Sequence, residues 1–115
     1  MARTILIVDD YAPFRDSARS LLESEGFDVV GEAENGVAGL RAATELKPEI
    51  VLLDVQLPDL DGFEVADRLR QLEPAPIVIL TSSRDEYGPL IASSAASAFV
   101  LKDELSGDAL ASALA

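Results

Sequence analysis

The chain has 115 residues, nine Lys and Arg against 21 Asp and Glu, a net charge of −12, and neither Cys nor His. This length suits one domain with a continuous core, and a hydrophobic content of 49% argues against disorder from lack of apolar surface. Disulfides, thiol catalysis, thiolate zinc sites and His-based acid–base chemistry are excluded, and the negative charge opposes direct binding to nucleic acid phosphates while serving solubility.

From the N-terminus, Met1-Ala2-Arg3-Thr4 leads into Ile5-Leu6-Ile7-Val8, too short for a signal peptide. This run predicts a first strand that ends at Asp9-Asp10. Pro13 suits an early helical position, where its missing N–H is not needed. Phe14, Ala18, Leu21 and Leu22 then recur at the spacing of a helix buried on one face. Gly26 ends that helix, and Asp28 to Ala33 reads as a second strand. Asn35-Gly36 starts a second helix with Val37, Leu40 and Ala43 inward, and Pro48 stops it. The third strand runs from Glu49 to Asp54. In the loop Leu57-Pro58-Asp59-Leu60-Asp61-Gly62, Asp59 and Asp61 read as turn chemistry and surface charge. Val65, Leu69 and Leu72 mark a third helix. Pro74 and Pro76 bracket the turn into the fourth strand, Ile77-Val78-Ile79-Leu80, which ends at Thr81-Ser82.

The next helix is weakly patterned. Ser82 to Glu86 is polar, Gly88-Pro89 would break a helix interior, and only Leu90 to Ala96 looks helical, a pattern expected of a mobile element. Phe99-Val100-Leu101 forms a fifth strand that runs into Lys102. Ser106 caps a last helix with Leu110, Ala113 and Leu114 inward. That helix spans about two turns, which is marginal alone and suggests a segment cut from a longer protein. No apolar stretch approaches the ~20 residues of a membrane span. Lys102-Asp103-Glu104-Leu105 spells a retention signal that is read only at a free C-terminus. The expectation is a cytoplasmic protein with no membrane partner.

Strands alternating with helices predict an α/β fold, a doubly wound five-stranded parallel sheet of order 2-1-3-4-5. The four apolar runs then deliver Asp9-Asp10, Asp54, Thr81-Ser82 and Lys102 to one sheet edge, where such folds bind ligands. Three carboxylates, a hydroxyl and an ammonium suit a divalent metal and a phosphoryl group. Asp10 and Asp54 can hold Mg2+, a hard cation that prefers oxygen. The metal would bridge an attacking carboxylate and the incoming phosphoryl oxygens. Lys102 supplies a flexible point charge, and Thr81 a hydroxyl donor. Blander roles exist for each: capping for Asp9 and Asp10, snorkelling for Lys102 and strand propensity for Thr81. Asp54, directly after four apolar residues, needs a partner in any case.

Taken in order, Asp9-Asp10, Asp54 followed by Leu57-Pro58 and Asp61-Gly62, Leu80-Thr81 and Leu101-Lys102 resemble the receiver domain of bacterial response regulators. The resemblance runs from Thr4 to about Leu114, so 1–115 is expected to be one receiver domain with a flavodoxin-like fold. It implies that a sensor histidine kinase or small phosphodonor phosphorylates Asp54 in a reaction the domain itself assists, without being an enzyme on other substrates. It further implies that Asp9 acts on the metal through water and that the Gln56 backbone carbonyl completes the protein ligands. Thr81 and Phe99 would be switch residues, and Gln56 and Ser83 would tune the lifetime of the phosphoryl bond. Phosphorylation-dependent homodimers are a further expectation.

Two departures stand out. Lys102 precedes Asp103 rather than the Pro of many receivers, so no cis peptide is expected there. Leu101-Lys102-Asp103-Glu104-Leu105 is closer to the branch with a C-terminal helix-turn-helix output module, which implies transcription control through an attached domain. The Ala-Ala-Ser before strand five lacks a Gly common in relatives, and with Gly88-Pro89 this argues against the usual fourth helix and the standard signalling surface. Three other readings compete. A haloacid dehalogenase phosphatase would want a second acid and a Thr where Gln56 and Pro58 stand. A flavodoxin would want a phosphate-cradling loop where Asp9-Asp10-Tyr11 repels one. The third is a receiver-like module that signals by contact without phosphorylation.

Overall fold

The apolar runs become five strands, β1 (Thr4–Val8), β2 (Asp28–Ala33), β3 (Ile50–Asp54), β4 (Ile77–Ser82) and β5 (Ala98–Leu101). They are seen in a computed structural model that describes residues 3–84 and 96–114. All pair in parallel, in the order β2-β1-β3-β4-β5 expected from the alternation of elements. The helices are α1 (Ala12–Ser24), α2 (Gly36–Leu46), α3 (Gly62–Leu69) and α4 (Gly107–Leu114). A 3-10 turn over Lys102–Glu104, which the sequence did not signal, links β5 to the last helix. The helix expected at Leu90 to Ala96, and Gly88-Pro89 before it, fall on 85–95 almost entirely and lie outside the described residues. Among the described residues the cis peptide is Glu73–Pro74, so Lys102–Asp103 is trans as expected.

Strands covered on both faces must be apolar on both, which is why they read as unbroken runs. Leu6, Val8, Val51, Leu53, Val78 and Leu80 face one layer with Ala43 of α2 and Val65, Ala66 and Leu69 of α3. Ile5, Ile7, Ile50, Leu52, Ile79 and Val100 face the other with Ala18 and Leu22 of α1 and Leu110 of α4. The edge strand β2 carries an irregularity: Ile5 pairs with Val29 but Leu6 with Gly31, so Val30 is an extra residue.

α2 buries only part of the face expected of it. Ala43 is buried and Leu40 packs partly buried on the core as expected, but Val37 is 52% exposed and Gly36 and Gly39 face inward. A Cβ on Gly39 would lie 2.9 Å from Val8 Cγ1, so the helix backbone rests directly on β1. Seating the helix on its glycines turns Val37 out. α1 matches its pattern, with Ala18 and Leu22 buried and Phe14 packed at the margin. Leu72 lies just past the end of α3 but still packs on the core.

Asp61 caps α3 by accepting from the Phe63 N–H at 2.7 Å. Asp59, expected to serve only its own turn, does more. Its carboxylate accepts from the Gly36 N–H at 2.7 Å and the Val37 N–H at 2.9 Å, 23 and 22 residues away. Asn35 takes the Ala38 N–H at 2.8 Å. Asp59 and Asn35 therefore share the open donors of the first turn of α2, and Asp59 ties the loop after β3 to that helix.

The Val37 N–H, helped by that of Gly36, holds the Asp59 carboxyl below its ordinary 3.8. A carboxyl lowered in the folded state stabilises the fold above the unfolded value, and that stability is lost as pH falls through the folded one. Asp59→Ala should therefore lower the melting temperature at pH 7, with the deficit narrowing below about pH 4. Thermal unfolding of both proteins across pH checks this, and Asp59→Asn, still able to accept, should lose less.

Candidate functional site

Each parallel strand delivers the residue just past its apolar run to the same edge. β1 brings Asp9, fully buried, and Asp10, exposed; β3 brings Asp54, buried; β4 brings Thr81 and Ser82, both buried; β5 brings Lys102. One oxygen each from Asp9, Asp10 and Asp54 lie within 4.8 Å of one another. An open cleft of about 330 Å³ is lined by Asp10, Asp54, Gln56, Ser82, Ser83 and Lys102, with Leu57 and Pro58 at its rim.

Lys102 Nζ lies 2.6 Å from Asp9 Oδ2 and 3.5 Å from Asp54 Oδ2. It also sits 4.6 Å from the centroid of the Phe14 ring, whose face attracts a cation. The ammonium thus leans towards Asp9, a pairing not anticipated from the sequence. Asp9 is held elsewhere too. Its N–H donates to the Ala33 carbonyl at 3.0 Å, its carbonyl accepts from Arg15 Nη1 at 2.6 Å, and its Oδ1 accepts from the Tyr11 N–H at 2.9 Å. Among the described residues, the partner of Asp9 Oδ2 is the Lys102 ammonium, as an ion pair.

Burial first, and the charge of Asp9 second, push the Asp54 carboxyl up from 3.8 to about 6. The Lys102 charge and the Gln56 N–H, 3.3 Å from Asp54 Oδ1, pull the other way without offsetting them. Three carboxylates facing one ammonium leave an excess of negative charge. An all-oxygen donor set of this kind fits a hard divalent cation such as Mg2+.

The remaining expected residues divide. Gln56 and Ser83 line the cleft. Thr81 is in register with Asp54, but its hydroxyl is turned to the Leu53 carbonyl, at a long 3.5 Å. Ser82 lines the cleft in its place, with its Oγ accepting from the Arg84 N–H at 3.1 Å. Phe99, opposite Leu80 on β5, packs partly buried against the core. Three neighbours carry no site role on sequence grounds: Ser82 stands at the strand end beside Thr81, Phe14 fits the core stripe of α1, and Arg15 has no signal beyond its place in the first turn of that helix.

The Asp61-Gly62 pair has a local reason. The Gly62 N–H donates to the Val55 carbonyl at 2.7 Å, and a Cβ there would strike the Asp54 carbonyl oxygen and come within 2.7 Å of Val55 Cα. Only glycine allows α3 to start this close to the backbone of Asp54.

The raised Asp54 value has a consequence for stability. The native state holds this proton more tightly than the unfolded chain, so the group has no effect on stability below about pH 3.8, where both states are protonated, and destabilises increasingly up to about pH 6. In metal-free buffer at pH 8, Asp54→Asn should raise the unfolding free energy by roughly 1–2 kcal/mol, allowing for screening by nearby water. Denaturant titrations at pH 8 and pH 4 check this, since the gain should vanish at the lower pH.

A family model described as response regulator receiver domain matches residues 5–115. The chain is 41% identical over 106 residues to BvgA of Bordetella pertussis, named as a positive transcription regulator of virulence factors. The match covers 90% of this chain and 51% of BvgA, so the chain spans about half the length of that relative. The signal receiver domain of NarL from Mycobacterium tuberculosis superposes with a TM-score of 0.82 at 34% identity, covering 98% of this chain and 97% of that one. The response regulator TrrA from Thermotoga maritima, solved in complex with Mg2+ and BeF, gives a TM-score of 0.85 at 29% identity, covering 97% and 96%. The order of the strands, the acidic cluster at their carboxyl ends and these likenesses agree: the chain belongs to the response regulator receiver domain family.

Proposed function

We propose that this receiver takes a phosphoryl group onto Asp54 from a sensor histidine kinase or a small phosphodonor, and passes the signal to an attached DNA-binding domain that controls transcription. The observation that carries the reading is Asp54 itself. Its carboxylate is buried at the end of β3, shares an oxygen cluster with Asp9 and Asp10, and lies 3.5 Å from Lys102.

An Asp54 oxygen attacks phosphorus, and the bond from phosphorus to the donor breaks with its electron pair leaving on the donor. The product is an acyl phosphate on Asp54. Bound Mg2+ supplies the positive charge that offsets repulsion between the carboxylate and the phosphoryl oxygens. Asp10 and Asp54 would hold it directly, Asp9 through water, and Gln56 through its main-chain carbonyl. Lys102 already reaches both buried carboxylates, so its flexible stem can follow negative charge onto the phosphoryl group. Thr81 gives up only a long hydrogen bond when its hydroxyl turns to a phosphoryl oxygen. That turn, coupled with Phe99, is the switch, a two-state element biased by new charge-assisted hydrogen bonds. Gln56 and Ser83, on the cleft wall, set the lifetime of the acyl phosphate by controlling the approach of water.

The segment catalyses its own phosphorylation and has no other substrate. No described helix is long and apolar enough to cross a membrane. The protein works in the cytoplasm, and phosphorylation favours a homodimer.

Incubation with acetyl phosphate and Mg2+ should add the mass of one phosphoryl group, and Asp54→Asn should abolish the addition. Equal labelling of that variant would place the acceptor elsewhere, and no labelling of the wild type would favour signalling by contact alone. In calorimetric titration, Asp10→Asn should lose most of the Mg2+ affinity, because it removes a direct charge on a hard cation. Asp9→Asn should lose less.

A further inference from the structure

Three of the four polar atoms of Asp9 are hydrogen-bonded, and only one of those bonds comes from a charged side chain. That donor is Arg15, whose Nη1 lies 2.6 Å from the Asp9 carbonyl oxygen. Its Nε donates to Glu32 Oε1 on β2 at 3.2 Å. The other Glu32 oxygen accepts from Arg19 Nε at 2.7 Å. The Arg15 and Glu32 side chains are only 16% and 25% exposed, so this contact is screened less than a surface pair. A planar guanidinium can serve a carboxylate and a carbonyl at once while held in one plane.

We propose that Arg15, clamped by Glu32, is a positioning residue that sets the Mg2+ affinity of the acidic pair through the main-chain carbonyl of Asp9. The inference rests on the metal-site reading above. Asp10 follows Asp9 directly and its side chain is exposed, so the main chain at Asp9 governs where the Asp10 carboxylate stands. With its N–H, carbonyl and Oδ1 all engaged, Asp9 turns Oδ2 to the Lys102 ammonium at 2.6 Å, the same ammonium that lies 3.5 Å from Asp54 Oδ2. Arg15 touches neither metal nor phosphoryl group in this role. It holds the turn that carries the ligands, as outer partners do for metal sites generally.

Arg19 provides an internal control, because it binds the same Glu32, and among the described residues no hydrogen bond or ion pair joins it to Asp9. Mg2+ dissociation constants from calorimetry, with thermal unfolding in metal-free buffer, should be measured for wild type, Arg15→Met, Arg15→Lys, Glu32→Gln, Arg19→Met and Asp10→Asn. Arg15→Met should weaken Mg2+ binding about tenfold. Arg15→Lys, which keeps the charge but not the fork, should weaken it about threefold, and Glu32→Gln should fall in the same range. Arg19→Met should lower the melting temperature yet leave the Mg2+ constant within about twofold. Wild-type Mg2+ affinity in the Arg15 variants, alongside loss in Asp10→Asn, would overturn the positioning role and leave the metal site standing. Equal weakening in Arg19→Met would also overturn it, by assigning the effect to general stability. Absence of Mg2+ binding in the wild type would overturn the metal reading and this inference with it. Should Arg15→Met fail to fold, Arg15→Lys and Glu32→Gln decide the question alone.

Discussion

Asp9 and Asp54, both buried, share a single ammonium, and the rest of the site is arranged around that imbalance. Burial removes the water that would solvate the two carboxylates, and Lys102 can neutralise only one of them at close range. It stands nearer Asp9, above the Phe14 ring, which leaves Asp54 with a proton affinity raised by desolvation and by its neighbour. A carboxylate in that condition is poorly solvated and surrounded by charge that can rearrange. The fold carries this cost where an unstrained protein would avoid it, a common mark of a working site.

The rim of the cleft owes its shape to a short loop pinned at several points. Gly62 brings the start of α3 against Val55, Asp61 closes the first turn of that helix, and Asp59 reaches across to the first turn of α2. Gln56, Leu57 and Pro58 lie between these anchors and β3. A wall built this way is set by backbone contacts rather than by long side chains, so its geometry loses little entropy when a ligand arrives.

Much of this was legible in the sequence, for physical reasons. A parallel strand buried on both faces must be an apolar run, so the strands and the polar residue after each could be read directly, and right-handed crossovers brought those residues to one edge. Asn35 and Ser106 announced helix starts because their side chains accept from open backbone N–H groups, and Pro13 did so because it lacks an N–H where none is needed. What escaped was tertiary. Nothing in Val37 shows that Gly39 lets α2 sit down on Val8 and roll it outward. Asp59 looked local because its partners are 22 and 23 residues away. The lean of Lys102 towards Asp9, and the grip of Arg15 on the Asp9 carbonyl, depend on side-chain reach that no periodicity encodes.

The irregular register on β2 bears on how the molecule behaves in a crowd. This strand is one margin of the sheet, and a straight margin with free N–H and C=O groups invites another chain to dock along it. The extra residue at Val30 breaks the even register of the strand. Asp28 and Glu32 place charge along it, with two arginines folded onto Glu32 from α1. The same carboxylate that anchors Arg15 thus helps make this side of the sheet a poor template for aggregation, and solubility and site geometry draw on one residue.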